Sequence, residues 1–346
     1  MKRSFIITAL NRLFLILVVF IFENHLQLCA QPYHNLVFEG AGIKGLAYAG
    51  AIAALEERQL MEGITHVAGT SAGAITALAL ALGYEGKEIE ALIYNTKFQK
   101  FNDGRFFFVG GISRMNRKYG WYRGDKFVGW LEEMINAKTG NPDITFREME
   151  QAGYRKLYVT GTSLNRQTLM VFSHETYPDM KVKDAVRISM SVPLYYRAVF
   201  IDSTGTIVQK PGEGVDIMVD GGITGNFPIN VFDRQSGKSG DRIVNHETLG
   251  LRIDVEDQIN YDMDGKGLSP YAIDGFKDYI GAFYKYVIEN LNRGILSEED
   301  WQRTISISSA DIGPKVKRLS KAQKDLLIAN GRKAVSTWFK PTHSTE

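Results

Sequence analysis

The sequence predicts an α/β layer fold with a central, largely parallel sheet. Twice before residue 85, a short apolar strand leads through a glycine-containing turn into a helix of small residues. This alternation is typical of parallel sheets covered by helices. The chain has 346 residues, of which 44% are hydrophobic, so it can bury a full core. No internal repeat or low-complexity stretch argues for another class of protein.

The first two units set the pattern. The first has a strand over residues 34–38, a glycine-rich turn, and an alanine-rich helix over 46–59. The second has a strand over 64–68 and a helix over 72–82, which Gly83 ends. Strand, turn and helix follow one another closely in both units, as expected where a strand feeds a helix that packs back onto the sheet.

The later elements continue the same architecture. A helix beginning at Asp125 is predicted because apolar residues follow the i, i+3, i+4, i+7, i+8 spacing. The other predicted elements are strands over 156–162, 168–173, 216–219 and 248–253 and a helix over 320–339. Residues 210–214 and 235–241 are predicted as surface loops, and no domain boundary is evident after residue 31.

The N-terminal residues have the features of a secretory signal peptide. Lys2 and Arg3 precede an unbroken apolar run over 13–22, and Ala30 is a small residue at its exit. We therefore expect residues 1–30 to be a signal peptide and residues 31–346 to form one domain of an exported protein (periplasmic, secreted or membrane-associated). A retained N-terminal membrane anchor and a lipoprotein modified at Cys29 are the alternatives, although the run is shorter than the ~20 residues that span a bilayer.

Charge, cysteine content and residue spacing give no indication of a nucleic-acid partner, a disulfide or a metal site. Removing residues 1–30 takes three basic and one acidic residue from the 41 and 39 of the full chain, which leaves 38 of each. A neutral chain gives no indication of nucleic acid as a partner. The single cysteine, Cys29, would be lost, so no disulfide is expected. No cluster of residues has metal-ligand spacing, and we expect neither a metal nor a cofactor.

A G-x-S-x-G motif marks the candidate nucleophile. It is formed by Gly69, Thr70, Ser71, Ala72 and Gly73, between the second strand and its helix. The flanking glycines permit a sharp turn that lifts a serine hydroxyl clear of the backbone. The start of the helix also places free N–H groups beside the reacting oxygen. Ser71 is therefore the candidate nucleophile, and the other four residues form its elbow.

A glycine-rich loop precedes this serine by about thirty residues. The loop consists of Gly40, Ala41, Gly42, Ile43, Lys44 and Gly45. Its glycines allow several N–H groups to point at one negative charge, as an oxyanion hole requires. The loop also matches the dinucleotide fingerprint G-x-G-x-x-G, but the next strand ends without the acidic residue that would hold ribose. A phosphate-binding P-loop fails because Leu46, not lysine, follows Gly45.

A third motif supplies a carboxylate. Asp220, Gly221 and Gly222 directly follow the predicted strand over 216–219. An aspartate at a strand end, followed by two glycines, can reach into a neighbouring turn, although an isolated Asp-Gly is usually an ordinary turn.

Together, the three motifs resemble the patatin-like phospholipase family. The resemblance is strongest over residues 34–235 and includes residues 120–125, 189–193 and 226–228. It implies a three-layer α/β/α fold that hydrolyses acyl esters of phospholipids or other lipids with a serine–aspartate dyad. Ser71 would attack the acyl carbonyl, and Asp220 would take its proton and later activate water. The N–H groups around Gly42 and Ile43 would form the oxyanion hole, and the role of Lys44 stays open.

The sequence leaves other functions open. A Ser-His-Asp triad would need a histidine, but His34 and His66 are favoured as structural residues. His246 follows Asp220 in triad order but lies in a polar stretch, and His174 follows a strand and could line the cleft. Residues 97–126 combine eight basic and eight aromatic residues, which suits either a lipid–water interface or a solvated loop over core aromatics. A lipid-binding member without activity and a small-ester esterase or thioesterase are the rival functions. Head group, chain length, bond position and oligomeric state stay open at this stage.

Overall fold

The computed structural model describes residues 33–104, 107–237, 240–286, 296–310, 312 and 318–340. The predicted signal peptide, with its alternatives at Cys29 and the retained anchor, lies outside these residues. Within these ranges, no helix combines the length and apolar character needed to cross a bilayer.

The first two predicted units are present almost residue for residue. They comprise β1 (Asn35–Phe38), a 3-10 turn (Gly42–Gly45), α1 (Leu46–Glu56), β2 (His66–Gly69) and α2 (Ala72–Ala81). Both helices are buried along their lengths, because alanine and glycine let them pack closely against the sheet.

A mostly helical segment follows. It contains α3 (Gly86–Asn95), a 3-10 turn (Phe98–Phe101), α4 (Phe107–Lys118), β3 (Gly120–Tyr122), α5 (Asp125–Thr139) and α6 (Phe146–Gln151). Helix α5 begins at the predicted residue and buries Phe127, Leu131, Met134 and Ile135, which are the apolar positions of its pattern.

The centre of the chain supplies most of the remaining strands. These elements are β4 (Lys156–Ser163), β5 (Thr168–Phe172), α7 (Val182–Ser189), β6 (Leu194–Tyr196), β7 (Val199–Ile201), β8 (Ile207–Val208), β9 (Asp216–Asp220) and α8 (Gly222–Gly225). The last part contains β10 (Arg234–Gln235), β11 (Arg242–Ile243), β12 (Thr248–Asp254), α9 (Glu256–Met263), α10 (Phe276–Lys285), α11 (Glu298–Trp301), β13 (Thr304–Ser308) and α12 (Lys321–Trp338). The predicted loop over 235–241 is the turn of the β10–β11 hairpin, of which residues 238–239 are not described.

The central sheet is mixed and mostly parallel, and helices flank it, which confirms the predicted fold class. Its order is β13-β12-β1-β2-β4-β9-β7-β8, with β5 also paired to β4. The five strands from β13 to β4 are all parallel. Strands β5, β9, β7 and β8 join by antiparallel pairing. The sheet therefore has a parallel half and an antiparallel half, which meet at β4.

The core is divided by the alternation of side chains along the strands. Leu36 and Phe38 face the larger cluster, together with the buried faces of α1, α2, α5, α7 and α12. Val37 points to the opposite face and packs in a smaller cluster with Phe227 and Ile229. Both faces of the parallel half are thus covered, as parallel sheets require.

Candidate active site

Ser71 occupies a strained turn between β2 and α2. Its backbone has φ 53° and ψ −121°, a conformation that residues with a side chain rarely adopt. A Cβ on Gly69 would lie 2.4 Å from the carbonyl carbon of Gly73, and a Cβ on Gly73 would lie 2.5 Å from the carbonyl oxygen of Phe38. Both motif glycines are therefore required by close backbone packing, as the G-x-S-x-G pattern predicted.

Residues at the end of α7 and just after it hold Ser71 in this turn. The Ser71 backbone N–H donates to Oγ of the buried Ser189 at 2.8 Å. The Ser71 hydroxyl lies 3.4 Å from Sδ of Met190, a weak acceptor. Sequence reasoning noted residues 189–193 only as part of the family resemblance and gave these two side chains no role. Nothing local in the sequence indicates that they meet a serine more than a hundred residues earlier.

Asp220 is the last residue of β9 and is 2% exposed. Its Oδ1 accepts a hydrogen bond from the Gly222 N–H at 2.8 Å. Burial raises the pKa of the Asp220 carboxyl from 3.8 to about 7, against the Gly222 N–H and the nearby Ser71 side chain, which lower it. The structure thus brings the two sequence-predicted catalytic residues close together.

Strand β4 explains why these two residues meet. β5 pairs with β4 over Val159–Ser163 and occupies one of its edges. On the other edge, β2 pairs with the first half of β4 and β9 pairs with the second half in the opposite direction. The C-terminal ends of β2 and β9 therefore point at each other along one edge, with Gly69 beside Val159 and Asp220 beside Gly161.

Two threonines, Thr70 and Thr160, pack between the C-terminal ends of β2 and β9. Oγ of Thr70 lies 2.6 Å from Oγ of Thr160 and also donates to the carbonyl oxygen of Gly225 at 3.0 Å. Both threonines are fully buried. A Cβ on Gly221 would lie 2.5 Å from the Thr160 hydroxyl oxygen, so only glycine fits after Asp220 when the end of β9 packs against Thr160.

The glycine-rich loop lies against the serine elbow at both of its ends. A Cβ on Gly40 would be 3.3 Å from Cβ of Ser71, and a Cβ on Gly45 would be 3.2 Å from Cβ of Ala72. Asn226 clamps the first end: its side chain donates to the Gly40 carbonyl oxygen at 3.0 Å, and its own carbonyl oxygen accepts from the Gly40 N–H at 2.9 Å.

The middle of the loop forms the 3-10 turn. Gly42 has φ +54°, a left-handed conformation that favours glycine, and a Cβ there would meet open space. Ala41 is buried, and its carbonyl oxygen accepts from the N–H of Lys44 at 3.1 Å. Lys44 is itself buried, whereas Ile43 is partly exposed. The loop therefore has a structured turn beside Ser71, as an N–H cradle requires.

Three of the described histidines contact other parts of the chain, and His246 is exposed. His34 bonds to the Gly63 carbonyl oxygen, His66 bonds to Thr65, and His174 pairs with Glu150 and Glu175. Within the described ranges, no histidine has a hydrogen bond to Ser71 or Asp220. The same part of the chain contains no group of three or more His, Cys, Asp or Glu side chains placed to hold a metal ion.

The described part of the basic and aromatic segment over 97–126 is mostly helical, and it contributes an aromatic side chain to the core. Phe101 is buried and packs against Phe127 and Trp130 of α5. Asp103 accepts hydrogen bonds from three N–H groups at the start of α5. Arg114 of α4 donates internally to the Trp121 carbonyl oxygen at 2.7 Å. Arg105 and Phe106 lie outside the described residues, so contact of this segment with lipid stays a prediction.

Comparison with known proteins places the chain. The profile of the patatin-like phospholipase family matches residues 36–233. The uncharacterized protein YqhO of Bacillus subtilis (strain 168) is 33% identical over 214 residues, which cover 59% of this chain and 68% of YqhO. A probable lipid hydrolase, 463L of Invertebrate iridescent virus 6, is 23% identical over 222 residues, covering 63% of this chain and 70% of the viral protein.

A solved structure supports the fold. The crystal structure of VipD from Legionella pneumophila superimposes with a TM-score of 0.54 and 18% identity, covering 89% of this chain and 66% of VipD. The layered fold, the serine elbow and the profile match lead to one conclusion: the chain belongs to the patatin-like phospholipase family. Membership of this family supports activity as a lipid hydrolase.

Proposed function

We propose that the protein hydrolyses acyl esters of lipids with a Ser71–Asp220 dyad. The observation that carries the proposal is the proximity of the Ser71 side chain, on a strained elbow, to the buried Asp220 carboxyl, whose pKa it lowers. A nucleophile in contact with a base is the arrangement that covalent acyl transfer requires.

The steps follow from the positions of these groups. The Ser71 oxygen attacks the acyl carbonyl carbon while Asp220 takes the hydroxyl proton. The tetrahedral intermediate collapses, and the leaving alcohol takes that proton. Asp220 then accepts a proton from water, whose oxygen attacks the acyl-enzyme carbonyl carbon. As the bond from Ser71 Oγ to this carbon breaks and the fatty acid leaves, Asp220 returns the proton to Oγ. The N–H groups of Gly42 and Ile43 would stabilise the oxyanion, a contribution of about 3–4 kcal/mol where such donors have been removed.

An ordinary aspartate is a weak base for this task. The burial that raises the Asp220 pKa to about 7 makes its carboxylate a stronger proton acceptor near neutral pH. No cofactor enters this mechanism, because the dyad and the backbone N–H groups supply each required function. The buried dyad disfavours a lipid-binding member without activity, since an isolated carboxylate in this environment would be costly to retain.

A lipid surface is the partner that we propose for this activity. Phe276, Tyr279 and Phe283 of α10 and Tyr286, directly after its end, follow helical spacing and are 56–80% exposed. Phe and Tyr side chains on one face favour a lipid–water interface. Because β12 runs parallel to β1 and β2, the chain that leads to α10 leaves the sheet at the edge that carries Ser71. Weaker vesicle binding of Phe276→Ser/Phe283→Ser, in a variant of unchanged melting temperature, would support this orientation.

Export by the predicted signal peptide is also part of the proposal. It places the mature N-terminus near Gln31. Intact mass of protein from the native cell tests this directly: a mass that includes residues 1–30 indicates a retained anchor, and a lipid adduct on Cys29 indicates a lipoprotein.

The decisive experiment combines active-site labelling with hydrolysis. A fluorophosphonate probe should label the wild type and not Ser71→Ala, because only an activated serine reacts with it. Ser71→Ala and Asp220→Asn should each lower hydrolysis of a soluble fatty-acyl ester by more than 1,000-fold, an order of magnitude expected for a unit whose members act together. Ser113→Ala, on the exposed face of α4, is the matched control. Near-normal turnover by Asp220→Asn would exclude it as the base.

The same assay separates the rival activities. A panel of phospholipids, triacylglycerols, short esters and thioesters, matched in acyl chain where possible, ranks substrates by kcat/KM. A strong preference for short esters or thioesters over lipids would favour the esterase alternative.

A further inference from the structure

A groove of about 550 Å³ lies beside the glycine-rich loop. It runs between the end of α3, the 3-10 turn over Phe98–Phe101, and the start of α12. Apolar side chains form its walls, among them Ile43, Leu46, Ile93 and Leu319. A groove of this volume and lining accommodates part of a lipid-sized molecule.

The rim of the groove is basic. Lys97, Lys100, Arg318 and Lys324 line it, and no acidic side chain is among the described residues that do so. The first three are exposed, whereas the Lys324 ammonium lies over the Tyr94 ring, 4.4 Å from its centroid, and donates to the Tyr94 carbonyl oxygen. Three cations are therefore presented towards whatever occupies the groove.

Asp325, a carboxylate beside the rim, leaves most of this positive charge in place. Asp325 accepts a hydrogen bond from the Tyr94 hydroxyl at 3.1 Å, but it also pairs with Lys321 at 2.7 Å. Since its charge is offset by Lys321, the rim keeps a net positive field. An anionic group would gain from this field, and a zwitterionic one would gain much less.

The position of the groove connects it to the dyad. Ile43 belongs both to its wall and to the loop whose two ends contact Ser71 and Ala72. A lipid whose acyl ester reaches Ser71 across this loop would place neighbouring atoms in the groove. The apolar walls can cover acyl carbons, and the basic rim can hold a charged head group outside them.

We propose that this groove binds an acyl lipid with an anionic head group and makes the enzyme selective for anionic over zwitterionic phospholipids. This inference rests on the proposed function, because it takes the groove to be part of the substrate site. The occupant is chosen by charge complementarity and by the apolar wall. A free anion would use only the rim, and a neutral lipid would use only the wall.

The test compares two lipids that differ only in head group. Phosphatidylglycerol and phosphatidylcholine with identical chains are presented at the same fraction in non-ionic detergent micelles. We expect the wild type to prefer phosphatidylglycerol at least tenfold in kcat/KM. Lys97→Ala/Lys100→Ala/Arg318→Ala should bring this ratio close to one. Lys87→Ala/Lys210→Ala/Lys333→Ala removes the same charge from exposed sites elsewhere and should leave the ratio unchanged.

Three results would count against the proposal. One is an equal loss of selectivity in both triple variants, which would make the preference a matter of overall charge. Another is a wild-type ratio near one. Inhibition of phosphatidylglycerol hydrolysis by millimolar inorganic phosphate, as strong as that by a short-chain phosphatidylglycerol monomer, would identify a free-phosphate site and would also count against a lipid occupant.

A binding experiment without turnover distinguishes failure of the groove proposal from failure of the proposed ester hydrolysis. Binding of monomeric dihexanoyl phosphatidylglycerol and phosphatidylcholine to Ser71→Ala protein is measured by calorimetry, without any turnover. Tighter binding of the anionic lipid, lost in the groove triple variant on the same background, supports the groove even if the wild type hydrolyses no ester. Equal binding of the two lipids refutes the groove even if Ser71 proves to be the nucleophile.

Discussion

The two halves of the sheet contribute chemically different members of the proposed dyad. Ser71 follows β2 of the parallel half, is partly exposed, and sits in a strained backbone conformation. Asp220 ends β9 of the antiparallel half, is buried, and is fixed by backbone hydrogen bonds. In the proposed mechanism, one half presents a nucleophile to substrate, whereas the other keeps a base away from water. Strain is concentrated on the serine side and desolvation on the aspartate side.

This difference has a physical reason. In a purely parallel sheet, the C-terminal ends of neighbouring strands lie side by side, and their loops all open to solvent at one edge. Here β9 approaches β2 head-on along β4, so Asp220 reaches the serine from within the sheet. That approach permits full burial of the carboxylate. Four predictions test the division, from the largest expected effect to the smallest.

The first prediction concerns the pH dependence of catalysis. Asp220 acts as a base only when ionised, and its pKa is raised to about 7. Activity should therefore fall as pH drops through 7, and kcat/KM at pH 5 should be roughly 100-fold below its plateau, tenfold for each pH unit. The measurement is kcat/KM for an uncharged soluble ester from pH 5 to 9. A profile that stays flat down to pH 5 would mean that the carboxylate is not desolvated in the working enzyme.

The second prediction concerns stability. Since the folded-state pKa of Asp220 lies above 3.8, its unfolded value, the unfolded chain releases this proton first and stability falls as pH rises from about 4 to about 7. Asn at position 220 cannot ionise and can still accept from Gly222. Between pH 5 and pH 8, the wild type should lose roughly 2–3 kcal/mol more unfolding free energy than Asp220→Asn, at ~1.4 kcal/mol per pH unit up to the folded-state pKa.

Denaturant unfolding at the two pH values measures this difference, and each variant serves as its own reference. The expected outcome is an inactive Asp220→Asn that is more stable than the wild type at pH 8. Parallel changes in both proteins would show that Asp220 does not carry the cost of burial that its surroundings imply.

The third prediction concerns Asn226, which, like Asp220, connects the antiparallel half of the sheet to the parallel half. It follows α8 on the antiparallel side and clamps Gly40 of the glycine-rich loop through two hydrogen bonds. Asn226→Ala keeps only the backbone bond, so the loop should lose its position relative to the oxyanion. We expect kcat to fall about tenfold with little change in KM, because the loop would act in the transition state. Asn116→Ala on α4 is the exposed control, and a rise in KM alone would assign Asn226 to substrate binding.

The sequence predicted the parallel half of the sheet better than the antiparallel half. β1, α1, β2 and α2 were predicted to within about three residues because their signals are local: apolar runs, glycines at the turns and alanine-rich helices. All three motifs could be identified for the same reason. The direction of β9 could not be predicted, since it depends on which edge of β4 is free, and that is a tertiary property.

Helix α4 shows a different limit. Gly110 and Gly111 lower helix propensity, and the segment was expected to be a loop or an interfacial stretch. In the structure, the missing side chain of Gly111 leaves room for the Trp121 ring, since a Cβ there would lie 2.7 Å from a ring carbon. Packing thus overrides propensity. Ser189 and Met190 were missed as neighbours of Ser71 because long-range contacts leave no signature in a single sequence.

The last prediction separates strain from chemistry at Ser71. Ser71→Ala and Ser71→Gly both remove the nucleophile, so both should be inactive. Glycine adopts φ 53°, ψ −121° easily because it has no Cβ, whereas the Cβ of alanine clashes with the backbone in this conformation. Relief of such strain is worth about 1–3 kcal/mol, and glycine loses ~0.5–1 kcal/mol through its greater freedom in the unfolded chain. Ser71→Gly should therefore be more stable than Ser71→Ala by about 1 kcal/mol in denaturant unfolding at one pH. Gly129→Ala, on α5 where a Cβ meets open space, calibrates the ordinary effect of this exchange. Equal stability of the two Ser71 variants would show that the elbow relaxes once the hydroxyl is gone, and strain would then be a consequence of the Asp220 contact and not of the glycine packing around the turn.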